Sequence, residues 1–134
     1  MKVSVIGVLA VTLCGTSFAQ GPQLPQQDRA LARQIFKEFI ETNSQDSNGS
    51  VTAVSVAARN ELLKAGFAPA DLILAGPNDR KQNLVVRYHG VPGSQLKPIL
   101  IIGHEDVVEA RRSDWTTDPY TLVEKDGYFY GRGT

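Results

Sequence analysis

His104 and Asp106 stand at alternate positions behind an apolar run, in the stretch Ile-Leu-Ile-Ile-Gly-His-Glu-Asp-Val-Val at residues 99–108. In an extended chain successive side chains point to opposite faces, so these two share a face while Glu105 takes the other. An imidazole that binds a metal through one nitrogen is commonly held by a carboxylate accepting from the other ring N–H, which fixes tautomer and aim. The plainer alternative is a histidine at a strand end paired with a surface acid. His89, the second of the two histidines, has no acid behind it and reads as structural or exposed. No His-Glu-x-x-His or paired Cys-x-x-Cys set is present.

Other chemistries find less support. Glu105, Asp106 and Glu109 are close in sequence, but adjacency does not set the separation that two-carboxylate glycosidase chemistry needs. No Gly-x-Ser-x-Gly elbow offers a nucleophilic serine. Gly131-Arg-Gly-Thr134 lacks the spacing of a phosphate loop or dinucleotide fingerprint and reads as a sharply turning loop. Trp115 and the tyrosines read as packing residues.

The elements that must position the His-x-Asp pair follow from periodicity. Leu31, Ile35, Phe36, Phe39 and Ile40 recur at helical spacing and predict a helix over residues 28–42, with Asp28 at its positive end. Ser50 is a fitting N-cap for a second helix over residues 51–65, closed by Gly66. Its apolar stripe is Val51, Val54, Ala58, Leu62 and Ala65. Residues 71–75 and 83–89 read as strands. Residues 98–103, apolar without alternation, read as a central strand buried on both faces. Asp126-Gly127 between 121–125 and 128–130 predicts a hairpin with a type I′ turn. The expected fold class is therefore α/β, with helices packed on a sheet.

Lys plus Arg and Asp plus Glu both number 14 in the 134 residues, within the usual size of one domain. That balance gives no strong field toward nucleic acid or an anionic membrane. Lys2, an apolar run over residues 3–13, and the small residues Ser17 and Ala19 predict a signal peptide over residues 1–19, cleaved before Gln20. The run is short against the roughly 20 residues that span a bilayer, so a retained anchor is the weaker reading. Lipid attachment at Cys14 is weaker too, since Leu13 is bulky. Cleavage would remove the only cysteine and leave no disulfide, despite an exported address that permits one. Residues 20–27, rich in glutamine and proline, read as a flexible lead-in, and the address as secreted or periplasmic.

Three pieces in order carry a resemblance: Gly-His-Glu-Asp-Val-Val at residues 103–108, Trp115 ahead of Asp118-Pro119-Tyr120, and Asp-Gly-Tyr-Phe-Tyr-Gly-Arg-Gly-Thr at residues 126–134. Glu41-Thr42-Asn43, Ala65-Gly66-Phe67 and residues 83–88 add to it. Together they resemble the N-terminal part of the zinc metallopeptidase family of glutamate carboxypeptidase, aminoacylase, acetylornithine deacetylase and succinyl-diaminopimelate desuccinylase. The resemblance implies that residues 28–134 are the N-terminal part of a catalytic domain, incomplete at its C-terminus, with a mixed, mostly parallel sheet. It implies that His104 binds one of two zinc ions and that Asp106, counted with the catalytic residues, orients it. Glu105 stands where relatives often carry an apolar residue or threonine, and is expected to tune the surroundings without ligating. The family's bridging aspartate would fall two positions past Thr134; its glutamate base, remaining ligands and smaller lid and dimerisation domain come later still.

The implied activity is metal-assisted hydrolysis of a peptide or N-acyl amino acid amide bond, of carboxypeptidase, dipeptidase or deacylase type. This stretch by itself is expected to be inactive. The resemblance allows a homodimer for the whole protein, and after signal cleavage no stable membrane insertion is expected. The rival reading is a non-catalytic binding or interaction domain of the same fold. A distantly related aminopeptidase with the same His-x-Asp start is a second rival, less suited to Gly-Arg-Gly-Thr and the Trp-to-Asp-Pro spacing.

Overall fold

The computed structural model describes residues 24–134. The expected signal peptide, cleavage point and first part of the lead-in lie outside the described residues. The first helix, α1, is Gln26–Glu41. It starts two residues before the predicted Asp28, directly after Pro25, and so takes in the end of the predicted lead-in. Its first turn has Asp28 but no side-chain cap. Its inward side closes on Ile40, which is buried, while Leu31 at the other end is exposed.

The second helix, α2, is Val51–Lys64, and both of its predicted ends hold. Ser50 is extended, and its side chain accepts a hydrogen bond from the Ala53 amide at 3.3 Å. At the other end Gly66 takes φ 91°. The Gly66 amide donates to the Leu63 carbonyl and that of Phe67 to Leu62, both at 3.0 Å, the two-bond Schellman closure that needs a residue tolerant of positive φ. The buried face differs from the expected stripe: it is Val54, Ser55 and Ala57, so a serine sits in the core.

A single helical turn, Pro69–Asp71, leads into β1, Leu72–Ala75, which pairs antiparallel with β2, Asn83–Val86. In that register Leu72 faces Val86 and Ala75 faces Asn83. Helix α2 packs on both strands and on α1, so Ile40, Val54, Ala57 and Leu72 form the small buried apolar core. The second hairpin joins β3, Val123–Lys125, to β4, Tyr128–Tyr130. Asp126 at φ 53° and Gly127 at φ 80° give the predicted type I′ turn, which needs positive φ at both central positions. Phe129 of β4 meets Phe36 of α1 edge-on at 5.3 Å, and Arg33 lies over the Phe129 ring.

The class is α/β, but the expected mostly parallel sheet is not formed. Among the described residues both sheets are two-stranded and antiparallel. The predicted central strand over residues 98–103 is the largest departure. It is in no strand, and Ile99, Leu100, Ile101 and Ile102 are 82–89% exposed. The physical reason is pairing. An apolar run becomes a buried strand only when neighbours take up its N–H and C=O groups and cover its faces. Here β1 and β2 satisfy each other, and among the described residues no third strand pairs with them.

Candidate functional site

His104 and Asp106 do not occupy a strand, yet they are together. His104 Nδ1 lies 3.0 Å from the Asp106 carbonyl oxygen and 3.3 Å from its carboxylate Oδ1. A protonated Nδ1 donates to these acceptors, and the Nε2 lone pair is then left free. Both side chains face solvent, at 84% and 70% exposure. Among the described residues no group of three or more histidine, cysteine or acidic side chains is placed to hold a metal ion. This donor set fits one corner of a zinc site: one imidazole, its tautomer held by an acid, open to further ligands. It does not make a whole site.

The pair sits at the mouth of a cleft of about 420 Å³, whose lining includes Ser44, Gln45, Arg80, Lys81, Asn83 and Glu105. The cations on its rim are engaged. Arg80 donates from Nε to the Gly49 carbonyl at 2.9 Å and from a terminal nitrogen to the Asp46 carbonyl at 3.1 Å. Lys81 pairs with Asp46 at 2.5 Å, and that hydrogen bond holds the Asp46 carboxyl below its ordinary range. Both cations of the lining are therefore already partnered.

The polar loop over residues 43–50, which the sequence marks only as the end of a helix, holds the segment behind His104. Ser44 Oγ donates to the Glu105 carbonyl at 2.7 Å. The Ser47 amide and hydroxyl each donate to the Glu109 carboxylate at 2.9 Å. Gln45, 5% exposed, accepts from the Ala110 amide at 3.1 Å and from the Tyr120 hydroxyl. From α2, the wholly buried Ser55 donates to Glu105 Oε2 at 2.6 Å. Burial raises the Tyr120 phenol above its ordinary range; the Glu109 charge adds to the shift and Arg132 opposes it.

The Gly-Arg-Gly-Thr end is a sharp turn, as its glycines suggest. Gly133 takes φ 98°, and the Arg132 amide donates to the Pro119 carbonyl at 2.7 Å. A Cβ on Gly131 would stand 2.6 Å from Ile40 Cγ2, so this turn rests directly on α1. The Arg132 guanidinium stacks on Trp115 at 5.0 Å, the packing role read from the sequence. His89, read as structural or exposed, is exposed and has a partner from far along the chain: its Nε2 is 2.8 Å from Asp71 Oδ1. Alternate-residue reasoning could not find Asp71, nor Gln45 and Ser55. Their type carries no signal until the fold brings them near.

The acetylornithine deacetylase of Pasteurella multocida is 34% identical over 113 residues, which are 84% of this chain and 28% of that protein. The probable succinyl-diaminopimelate desuccinylase of Staphylococcus epidermidis is 45% identical over 58 residues, 42% of this chain and 13% of its own. The succinyl-diaminopimelate desuccinylase of Polynucleobacter necessarius is 39% identical over 66 residues, 48% and 17% of the two chains. The chain thus spans 28% or less of the length of these curated relatives. No family profile matches it, and no solved structure matches it significantly. The chain resembles the N-terminal part of the zinc metallopeptidase family that includes these deacetylases and desuccinylases, a family of hydrolases.

Proposed function

We propose that the chain is the N-terminal part of an exported, zinc-dependent metallohydrolase that cleaves peptide or acyl-amino-acid amide bonds, and that this part alone is inactive. The observation that carries the reading is the His104–Asp106 pair, Nδ1 toward the acid and Nε2 open, inside a sequence frame shared with a deacetylase and desuccinylases. His104 is the metal ligand and Asp106 its orienting acid. Zinc, when bound, would supply Lewis-acid polarisation of the scissile carbonyl and activation of water. This chain's own contribution is to present one imidazole nitrogen in the correct tautomer on the rim of the 420 Å³ cleft. The acyl-amino-acid side of this reading is supported by the relatives' names, a deacetylase and desuccinylases.

The test is made on the whole protein, purified from the exported fraction. Zinc content by atomic absorption and turnover of an N-acyl amino acid series are measured for wild type and His104→Ala. The variant is expected to lose activity and part of its zinc while keeping its circular dichroism spectrum. Normal zinc content together with normal turnover in the variant overturns the assignment.

A further inference from the structure

Every residue from Val85 to His104 is exposed, and Glu105 is the first that is not. Its neighbours His104 and Asp106 are largely solvated. Glu105 alone in this stretch turns inward, toward α2. Its carboxylate Oε2 lies 2.6 Å from the hydroxyl of Ser55, a side chain at 0% exposure. That hydroxyl is also 2.9 Å from the Gln82 carbonyl, at the start of β2. The Glu105 carbonyl receives the Ser44 hydroxyl at 2.7 Å, and Ser44 is itself 2% exposed. One residue thus ties the segment to the helix, the loop between the helices and the edge of the hairpin. Among the described residues, the flanking long-range side-chain hydrogen bonds on either side come from His89 to Asp71 and from Glu109 to Ser47.

We propose that Glu105 is the positioning residue of the metal corner: its side chain, anchored on buried Ser55, fixes where His104 presents Nε2. This rests on the reading of His104 as a zinc ligand. The physical argument is entropic. An imidazole on an otherwise untethered, solvated stretch samples many positions, and a metal must then select one of them at the cost of ordering the chain. Fastening the adjacent residue to the core removes that ordering cost before the metal arrives. The alternation that places His104 and Asp106 outward places the intervening side chain inward, so position 105 is where such an anchor has to be. A carboxylate reaches Ser55 from there; an alanine cannot.

The experiment uses the whole protein labelled with nitrogen-15. The His104 ring signals are assigned by their loss in His104→Ala, and those of His89 serve as an internal reference. Zinc is titrated into wild type, Glu105→Ala, Glu105→Gln and Ser55→Ala, and the zinc affinity at His104 is read from its ring shifts. Removing a partner of a metal-ligating group typically costs about 10–100-fold in affinity. Glu105→Ala and Ser55→Ala are expected to lose about 10-fold or more, and Glu105→Gln, which keeps an acceptor oxygen, to stay near wild type.

The outcomes separate. If the wild-type His104 ring does not respond to zinc, the metal reading fails and this inference falls with it. If wild type responds and neither Glu105→Ala nor Ser55→Ala changes the affinity, the metal reading stands and the anchor is wrong. Loss in Glu105→Gln as deep as in Glu105→Ala would assign the effect to charge near the metal and likewise overturn the anchor. Should Glu105→Ala fail to fold, the Ser55→Ala and Glu105→Gln pair decides by the same criteria.

Discussion

Replacing Gln45 with alanine should destabilise the chain more than any surface substitution of similar size. The side chain is nearly buried, at 5% exposure, and its Oε1 is the acceptor for two donors, the Ala110 amide and the Tyr120 hydroxyl. Its Nε2 donates to Asn48 and Ser47. Truncation leaves the Ala110 and Tyr120 donors without a partner, each costing about 1–3 kcal/mol if wholly buried. Ala110 and Tyr120 are only half-buried, so water can reach them and the lower part of that range applies, roughly 2–3 kcal/mol in all. With an m-value of about 1–2 kcal/mol/M, the urea midpoint should fall by roughly 1–2 M. Equilibrium unfolding followed by circular dichroism reads this directly. The double variant with Tyr120→Phe should fall short of additivity by about 1 kcal/mol, because the two share one hydrogen bond. A Gln45→Ala protein within about 0.5 kcal/mol of wild type, the range of neutral surface changes, would refute the view that this loop clamps the segment carrying Glu105 and Glu109.

Three further outcomes follow from single residues. Tyr120 keeps its proton more tightly in the fold than in the unfolded chain, through burial first and the Glu109 charge second. Its contribution is therefore full below the ordinary tyrosine pKa of about 10 and is lost as pH rises through the higher folded value; urea unfolding at alkaline pH should show a decline that Tyr120→Phe lessens, and equal slopes would contradict it. Ser50→Ala removes the cap on the Ala53 amide and should cost about 1 kcal/mol, seen as a lower thermal midpoint with helical content otherwise retained. Asp106→Ala should leave the fold intact, since the side chain is 70% exposed, while lowering turnover of the whole protein; unchanged turnover would remove Asp106 from the site.

What the sequence discloses here is what short-range physics decides. Ser50 and Gly66 bound α2 because capping needs only residues a few positions away, and both ends fall where expected. Asp126-Gly127 forms its turn because positive φ is a property of the residues themselves. The His104–Asp106 contact survives even though the strand predicted to create it is absent, since two residues at that spacing reach one another by local geometry. Residues 98–103 fail by the same logic: being a strand is a relation to a neighbour, and apolarity alone supplies none.

The candidate site is legible in its outward residues and illegible in its supports. His104 and Asp106 are named by spacing, whereas Ser44, Gln45 and Ser55 come from a loop and a helix whose polar residues look like ordinary surface. Ser55 is the sharpest instance. On an amphipathic wheel a serine beside Val54 and Ala57 reads as a break in the apolar face, yet it is the most buried side chain described. A buried hydroxyl costs free energy unless it is hydrogen-bonded, and the single proton of this one has two acceptors in reach, the Gln82 carbonyl and the Glu105 carboxylate. A polar residue on a core face is therefore a pointer to a partner elsewhere in the chain. Here the partner is the residue between the two that the chemistry needs.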